Sequence, residues 1–203
     1  MSFKNHLLAV ILSGNKDQLR KRALIERSQL KNEIIEELSK KISENLFRNF
    51  NLEKLNVHLF YPISDKKEVN TWHIHNKLSH SVKIFTSAYN NDSEEWECVS
   101  FNPNTEFRKG KFNVPYPIKH QKELFEDINV ILIPLLVFDS NGHRIGYGKG
   151  IYDSILNSTK KTCIKVGLSI MECSNVLIDF QDHDIALDYC QTPSVLHNFK
   201  LNP

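Results

Sequence analysis

The feature of this sequence that most constrains its fold is the apolar run NVILIPLLVF at residues 129–138. The run shows no alternation of apolar and polar side chains, whereas a strand with one solvent-facing side alternates with a period of about two residues. Such a run is typical of a strand buried on both faces, which occurs in parallel sheets covered by helices. The run therefore predicts the central strand of a parallel sheet.

Helical and strand patterns surround this predicted strand. Between residues 16 and 50, apolar side chains recur every four residues, which predicts two helices with Ser28 as the N-cap candidate of the second. Strand patterns occupy residues 56–63, 81–89, 95–101 and 163–170, and helical patterns occupy residues 68–78 and 148–158. Residues 112–118, FNVPYPI, are predicted to form a loop or a sheet edge, because proline cannot donate to a strand ladder.

Helices that alternate with buried strands are typical of α/β proteins. We therefore predict a three-layer α/β/α fold with a mostly parallel central sheet, Rossmann-like, whose ligands bind beyond the carboxyl ends of the strands. We expect one domain over residues 16–203, since a chain of 203 residues with 40% hydrophobic residues suffices for a single core. Residues 1–15 are predicted to be an N-terminal extension, because their apolar run LLAVIL is too short for a membrane span.

Charge and cysteine content argue against some classes of function. The 26 basic and 24 acidic residues are scattered, and no dense basic stripe with interleaved aromatic residues indicates a nucleic-acid site. The four cysteines form no CxxC pair, which favours free thiols in a reducing compartment. We expect a cytoplasmic protein and a monomer, with small-molecule ligands and with no nucleic-acid or membrane partner.

The segment FDSNGHRIGYGKGIYD, residues 138–153, completes the apolar run and holds four of the seven glycines. Glycine allows positive φ and a close approach of ligand to backbone. Successive N–H groups in such a loop, followed by a helix N-terminus, form a site for anions. Arg144 and Lys149 add positive charge, and Asp153 adds a carboxylate. Because the segment matches neither GxxxxGK[ST] nor GxGxxG, a phosphate-binding loop and a plain glycine-rich surface loop both stay open at this point.

The same segment resembles the C-terminal signature of the 5-formyltetrahydrofolate cyclo-ligase family, approximately P-x-x-x-F-D-x-x-G-x-R-L-G-x-G-x-G-Y-Y-D. The matching positions are Pro134, Phe138, Asp139, Gly142, Arg144, Gly146, Gly148, Gly150, Tyr152 and Asp153. Three further segments follow in the family's order: KDQLR at residues 16–20, YPISDKKEVNT at residues 61–71 and HDIALD at residues 183–188. The resemblance extends over residues 16–194.

The resemblance implies an ATP-driven ring closure. In that reaction 5-formyltetrahydrofolate becomes 5,10-methenyltetrahydrofolate, ADP and phosphate are released, and a phosphorylated formyl group is the intermediate. The implied co-substrate is ATP, the implied cofactor is Mg²⁺, and the implied substrate is a reduced folate. An alternative is a catalytically weak relative that binds folate or nucleotide and acts as a regulator. The complete set of phosphate and metal residues favours the enzyme, since a binding protein does not need it.

The resemblance also implies an ATP site. Its residues are Lys16, Arg20, Arg144, Ile145, Gly146, Tyr147, Gly148, Lys149, Gly150, Ile151 and Tyr152. Arg144 and Lys149 are the implied catalytic residues, because phosphoryl transfer depends on positioning and on neutralisation of charge. Lys16 and Arg20 lie four residues apart, hence on one face of a helix. The alternative interpretation of these two is a solvated basic helix start, and that of the loop charges is a soluble surface turn.

The implied metal ligands are Asp153 and Asp184, because Mg²⁺ typically takes one or two protein carboxylates together with phosphate oxygens. Asp153 is alternatively an acid in the first turn of a helix, where the macrodipole favours it. Asp184 is alternatively a loop acid, and Asp188 is the second choice of ligand.

The implied folate-binding residues are Tyr61, Glu68, Phe112, Tyr116, Tyr147 and Tyr152. Glu68 resembles the family acid that accepts paired N–H donors of the pterin, although its spacing also fits a helix-start acid. Tyr152 is alternatively a core aromatic residue. Phe112 and Tyr116 alternatively belong to a proline-braced surface loop.

The chain departs from the family pattern at several positions. They are Asn70, Ser87, Tyr116, Ile151 and Ser154. None of these departures removes a phosphate or metal group, so they bear on the lining of the pocket.

Overall fold

A computed structural model describes residues 15–78, 80–181 and 184–200. Its helices are α1 (Lys16–Gln29), α2 (Asn32–Asn49), α3 (Trp72–His75) and α4 (Ile151–Asn157). Its strands are β1 (Asn56–His58), β2 (Lys83–Asn90), β3 (Glu95–Ser100), β4 (Phe107–Lys109), β5 (Pro115–Pro117), β6 (Gln121–Glu123), β7 (Val130–Pro134), β8 (Val137–Phe138), β9 (Arg144–Ile145), β10 (Ile164–Leu168), β11 (Tyr189–Gln191) and β12 (Leu196–Asn198).

Within the described residues, eight strands form the main sheet in the order β12-β11-β10-β7-β1-β2-β3-β6. The pairings from β11 through β10, β7 and β1 to β2 are parallel, and the pairings at both edges are antiparallel. Strand β7, the first half of the apolar run, lies between β10 and β1. The predicted central strand and the mostly parallel sheet are therefore confirmed.

The side chains of β7 show how the layers arise. Successive residues of a strand point to opposite faces of the sheet. Val130 and Leu132 pack into a core cluster that includes the buried face of α2, whereas Ile131 and Ile133 pack into a second cluster that includes α4. Helices thus cover both faces of the sheet, as predicted for three layers.

Two local predictions are wrong. Ser28 does not cap α2, because its hydroxyl donates to the Ile25 carbonyl within α1 and Lys31 occupies the N-cap position. The helix predicted over residues 68–78 is reduced to the single turn of α3. At the start of that segment two groups bond to other parts of the chain: the Asn70 N–H donates to the Ser39 hydroxyl, and the Thr71 hydroxyl donates to the Phe60 carbonyl.

The predicted N-terminal extension is described only at its last residue. Asn15 caps α1, its side chain accepting the Asp17 N–H at 2.8 Å, and residues 1–14 lie outside the described residues. His183 of the HDIALD segment also lies outside them. Across the described ranges, none of the helices combines the length and the apolarity needed to cross a membrane.

Candidate functional site

A cavity of about 700 Å³ lies at the carboxyl ends of β1 and β7 and beside the middle of β2. Its walls come from α1, the 3₁₀ turn Ser64–Lys66, Thr86 and Ser87 of β2 and the glycine-rich segment. Helix α1 reaches this position because it packs against β8, β9 and the same 3₁₀ turn. The structure brings together at this cavity every residue predicted for ATP and metal binding, and every predicted folate residue except Tyr116.

Tyr116 lies elsewhere, so the prediction that it shares this cavity is wrong. Strand β5 pairs with β4 in a small separate sheet, and Tyr116 faces Gly110 there. It lines a depression of about 60 Å³ that shares only Trp96 and Val114 with the main cavity. Its position agrees with the alternative interpretation, a surface loop braced by prolines.

The glycine-rich segment begins where the apolar run leaves the main sheet. Beyond Pro134, β8 pairs with β9 in a separate hairpin instead of extending β7. Buried Asp139 anchors this hairpin: its Oδ1 accepts the N–H groups of Asn141 and His143, and its Oδ2 accepts the Ile178 N–H at 2.9 Å. These bonds position Arg144, the first residue of β9, toward the cavity.

The loop between β9 and α4 needs glycine at defined positions. Gly148 and Gly150 have φ values of 77° and 67°, in the left-handed region that other residues rarely adopt. A Cβ at Gly148 would lie 3.2 Å from Cζ of Arg20. Arg20 also donates from Nε to the Gly146 carbonyl at 2.9 Å, so its guanidinium lies directly against this loop. The prediction that Arg20 belongs to the site therefore agrees with its position. The alternative interpretation, that Arg20 is part of a fully solvated helix start, does not agree with it.

Six charged residues surround this loop, and we call them the loop cluster. They are Lys16, Arg20, Arg144, Lys149, Asp153 and Asp184. Two ion pairs join cations and carboxylates within it: Lys16 Nζ lies 2.5 Å from Asp184 Oδ2, and Arg144 Nη2 lies 2.5 Å from Asp153 Oδ1. Both predicted metal ligands are thus held by side chains predicted to bind phosphate.

The two carboxylates of the loop cluster suit Mg²⁺ bound together with a nucleotide. The described residues contain no group of three or more histidine, cysteine or acidic side chains that would hold a metal by themselves. Mg²⁺ does not need such a group, since it typically takes one or two carboxylates plus phosphate oxygens and water. Asp188 is less suitable than Asp184, because it lies away from the cavity and pairs with Lys165 at 2.9 Å.

Glu68 is a buried acid in the cavity wall and does not start a helix. Its Oε2 accepts the Ile63 N–H at 2.6 Å. Burial raises the pKa of Glu68, and the Ile63 N–H, the Tyr147 hydroxyl and the charge of Arg27 oppose that rise. The helix-start alternative is therefore wrong, and the carboxyl faces a cavity where it can meet a ligand.

Arg27 is a residue that the sequence interpretation missed. It is buried on α1, donating from Nη1 to the Tyr147 hydroxyl at 3.2 Å and from Nη2 to the Leu135 carbonyl at 2.6 Å. We call Arg27, Tyr147 and Glu68 the Glu68 cluster. The helical spacing contained the signal: Arg27 is seven residues after Arg20, about two turns, and so faces the same side of α1.

The predicted tyrosines differ in their freedom to bind a ligand. The Tyr61 hydroxyl is hydrogen-bonded to Nδ1 of His75, with the two atoms 2.7 Å apart, and the Tyr61 ring packs against Trp72 and Phe107. Tyr152 packs edge-on against His58, and burial, followed by the charge of Glu68, raises its pKa. These rings form an aromatic wall whose hydroxyl groups remain protonated.

A second buried pair that the sequence interpretation missed lies at the cavity floor. His58 on β1 and Ser87 on β2 are hydrogen-bonded, with Nε2 and Oγ 2.8 Å apart, and Ser87 lines the cavity. His58 Nδ1 has no hydrogen-bond partner in the part of the chain that the structure describes. Burial lowers the pKa of His58 to about 3, so the ring is neutral. Ser87 is one of the departures noted above, and its hydroxyl forms a polar contact at this position.

Phe112 lines the cavity and is about half exposed. Its φ of 57° is in the left-handed region, and Lys149 Nζ lies 5.2 Å from the ring centroid. A cation over an aromatic face is an attractive arrangement. Lys149 therefore has an exposed but defined position at the rim.

Comparisons with known proteins agree with this geometry. The model of the 5-formyltetrahydrofolate cyclo-ligase family matches residues 12–193. A 60-residue segment is 40% identical to the 5-formyltetrahydrofolate cyclo-ligase of Mycoplasma genitalium, and it covers 29% of this chain and 36% of that protein. An 81-residue segment is 31% identical to the Haemophilus influenzae protein of the same name, covering 38% and 43%. The matched segments thus span less than half of either relative.

Solved structures resemble the chain over most of its length. The NMR structure of Aquifex aeolicus 5,10-methenyltetrahydrofolate synthetase has a TM-score of 0.74 and 26% identity, and the match covers 91% of this chain and 93% of that one. A 5,10-methenyltetrahydrofolate synthetase from Mycoplasma pneumoniae has a TM-score of 0.70 and 21% identity, with coverage of 89% and 100%. The second likeness concerns the fold alone.

Proposed function

The chain belongs to the 5-formyltetrahydrofolate cyclo-ligase family, and from this premise we propose that it converts 5-formyltetrahydrofolate to 5,10-methenyltetrahydrofolate with ATP and Mg²⁺. One observation carries the proposal. A single cavity holds both the loop cluster, suited to a triphosphate, and Glu68 with an aromatic wall, suited to a flat heterocycle. A reaction between ATP and a folate requires both kinds of site within reach of each other.

The loop cluster supports the phosphoryl-transfer half of the reaction. Four cationic side chains and a glycine-rich backbone with its N–H groups face the cavity, where they would neutralise the charge of a transferred phosphoryl group. Arg144 lies just before the loop and Lys149 lies within it, so we assign them the catalytic contacts. Lys16 and Arg20 approach from α1 and would clamp the remaining phosphates.

Asp153 and Asp184 would hold the Mg²⁺ of the nucleotide. The ion, when bound, supplies positive charge to the phosphate oxygens and orients the triphosphate. With these two carboxylates engaged as ligands, Arg144 and Lys16, which now pair with them, would be available to phosphate. The existing ion pairs therefore keep the loop cluster organised until the nucleotide replaces them.

The residues around Glu68 support the folate half. An ionised carboxylate accepts two N–H donors side by side, the arrangement that a pterin ring presents. The nearby rings of Tyr152 and Phe112 line the same cavity and offer apolar area to a planar ligand. Tyr147 contributes to both halves, since it lies in the glycine-rich loop and interacts with Arg27 and Glu68 within the Glu68 cluster.

The proposed reaction consists of two steps, and neither needs a strong catalytic base. The formyl oxygen attacks the γ-phosphorus of ATP, the bond to ADP breaks, and a poor leaving group becomes a phosphate ester. N10 then attacks the formyl carbon, and phosphate departs with the former formyl oxygen and the N10 proton. Both steps depend on alignment and charge neutralisation more than on a strong base.

The proposed setting is the cytoplasm. All four cysteines are free thiols, which is typical of a reducing compartment.

The direct test follows the absorbance of 5,10-methenyltetrahydrofolate after 5-formyltetrahydrofolate and Mg-ATP are added to the purified chain. We expect product that depends on both substrates. Lys149→Ala should slow its formation, whereas Lys161→Ala, which removes an exposed lysine away from the cavity, should not. Folded protein that binds both ligands and forms no product would instead favour the regulatory relative.

A further inference from the structure

Arg27 is a buried cation whose contacts lead to the cavity. Its side chain is almost fully enclosed, yet no carboxylate among the described residues bonds to it directly: it donates to the Tyr147 hydroxyl and to the Leu135 carbonyl. Its Nε has no partner among the described residues. A charge held this far from water is stabilised only when an opposite charge lies near it. The acid that interacts with it electrostatically is Glu68.

Tyr147 connects the two charges. Its hydroxyl oxygen accepts from Arg27 Nη1 at 3.2 Å, and its interaction with the Glu68 carboxylate opposes the effect of burial on the pKa of that acid. A hydroxyl has one proton to donate and can accept as well, so it can serve both partners at once. The series of interactions from Arg27 on α1 through Tyr147 in the glycine-rich loop to Glu68 is therefore continuous.

The ionisation state of Glu68 decides what it can bind. Burial raises the pKa of this carboxyl, and a protonated acid presents a donor to a ligand that also offers donors. The opposing groups are the Ile63 N–H, the Tyr147 hydroxyl, Arg27 and Lys66. Tyr152 also faces the carboxyl, and it stays neutral because burial raises its pKa. Lys66 is exposed and screened by water, so Arg27 is the buried cation of the set.

We propose that Arg27 is a positioning residue which, through Tyr147, holds Glu68 as a carboxylate facing the cavity, ready to accept paired N–H donors of the ligand. It does not touch the ligand itself. The identity of the ligand as a reduced folate rests on the proposed function, but the effect of Arg27 on Glu68 does not. The two claims can therefore be tested separately.

The first measurement needs no ligand. The carboxyl of Glu68 is followed by NMR in protein carrying isotope-labelled glutamate, with Glu68→Gln to assign its signal, between about pH 5 and about pH 9. Arg27→Met removes the charge and keeps much of the volume, and it should move the Glu68 midpoint upward by about one pH unit or more. Arg27→Lys keeps the charge and should move it less. Arg22→Met is the matched control, since it removes an exposed cation from the same helix.

Tyr147→Phe provides a second route if Arg27→Met does not fold. It deletes only the hydroxyl that joins the two charges, and it should also raise the Glu68 midpoint. An unchanged Glu68 titration in Tyr147→Phe and in every Arg27 variant that folds would overturn the proposal.

The second measurement is the affinity for 5-formyltetrahydrofolate at the same pH values. In Arg27→Met we expect about tenfold weaker binding near neutral pH, the change that corresponds to about one pKa unit, and recovery toward wild-type affinity at high pH. A purely structural defect would not recover with pH. If the NMR midpoint moves while folate affinity responds neither to Arg27→Met nor to Glu68→Gln, the positioning role stands and the folate assignment of this site fails.

Discussion

The loop cluster and the Glu68 cluster hold their charges in different ways. In the loop cluster the Lys16 and Asp184 side chains are 24% and 19% exposed, Asp153 is 38% exposed and its partner Arg144 is 7% exposed, and each cation that pairs with an acid does so directly. In the Glu68 cluster Arg27 and Glu68 are only 3% and 5% exposed, and a tyrosine separates them. Partly exposed pairs contribute little net stability and exchange partners easily, whereas a buried charge must keep its partner permanently. The difference suggests that the loop cluster replaces its ion pairs with contacts to the ligand. The interactions of the Glu68 cluster, in contrast, form before the ligand binds.

The largest expected effect comes from a change at Asp153. As a proposed metal ligand, this carboxylate should affect the rate of the reaction and not the binding of the pterin. Asp153→Asn should lower kcat by about a hundredfold or more while the Kd of 5-formyltetrahydrofolate changes little. Steady-state kinetics and folate titration measure the two quantities. Equal losses in both would mean that the loop cluster does not act separately from the folate site.

Glu68→Gln should show the opposite selectivity. Losing a charged hydrogen-bond acceptor should weaken folate binding by about ten- to a hundredfold, since such bonds contribute about 1.5–3 kcal/mol. The KM for ATP should stay close to that of the parent chain. A large rise in the KM for ATP would mean that the two clusters act as one functional unit, and the contrast between them would not hold.

Lys149 should have a smaller effect, because its ammonium group is at the exposed rim. Lys149→Ala should raise the KM for ATP by about tenfold with folate affinity unchanged, as expected for one partly screened phosphate contact. Lys161→Ala serves again as the control. An unchanged ATP dependence would reassign Lys149 to the surface.

The last expected effect is one on stability, and it concerns the buried pair at the cavity floor. The pKa of His58 is lowered to about 3 in the fold, and an unfolded histidine has a pKa near 6.5, so the unfolded state binds more protons between these values. The free energy of unfolding should therefore fall as pH falls below 6.5, with a His58 contribution of up to about 1.4 kcal/mol per pH unit. Denaturant unfolding of the parent chain and of His58→Phe isolates that contribution as a difference. If His58→Phe and the exposed control His120→Phe give the same pH dependence as the parent, His58 is not held neutral.

Much of the fold was predictable because its signals are local. The apolar run identified β7, since burial on both faces leaves no polar residue in alternate positions. The helix after the glycine-rich loop was likewise expected, and α4 begins at Ile151 within the predicted span. The N-cap at Ser28 failed because a serine hydroxyl bonds equally well to a carbonyl of the preceding turn, and sequence does not decide between the two.

The candidate site was predictable where the segment itself carries the information. Glycines at positive φ and cations spaced along one loop can be recognised without knowing what packs against them. Tyr116 was misplaced because its direction depends on the pairing of β5 with β4, a contact that its own neighbours in sequence do not specify. The role of Glu68 as a buried cavity acid likewise needed the packing of α1 against the turn that precedes it.

The sequence by itself determined the buried central strand, the layers that cover it and the glycine-rich loop, because periodicity and glycine content act over short stretches of chain. Only the tertiary structure decided that residues 27, 68 and 147 meet, and that the carboxyls of Asp153 and Asp184 pair with cations. The physical reason is that the interactions of charges and hydrogen bonds depend on distance in space and on burial. Neither quantity is set by separation along the chain.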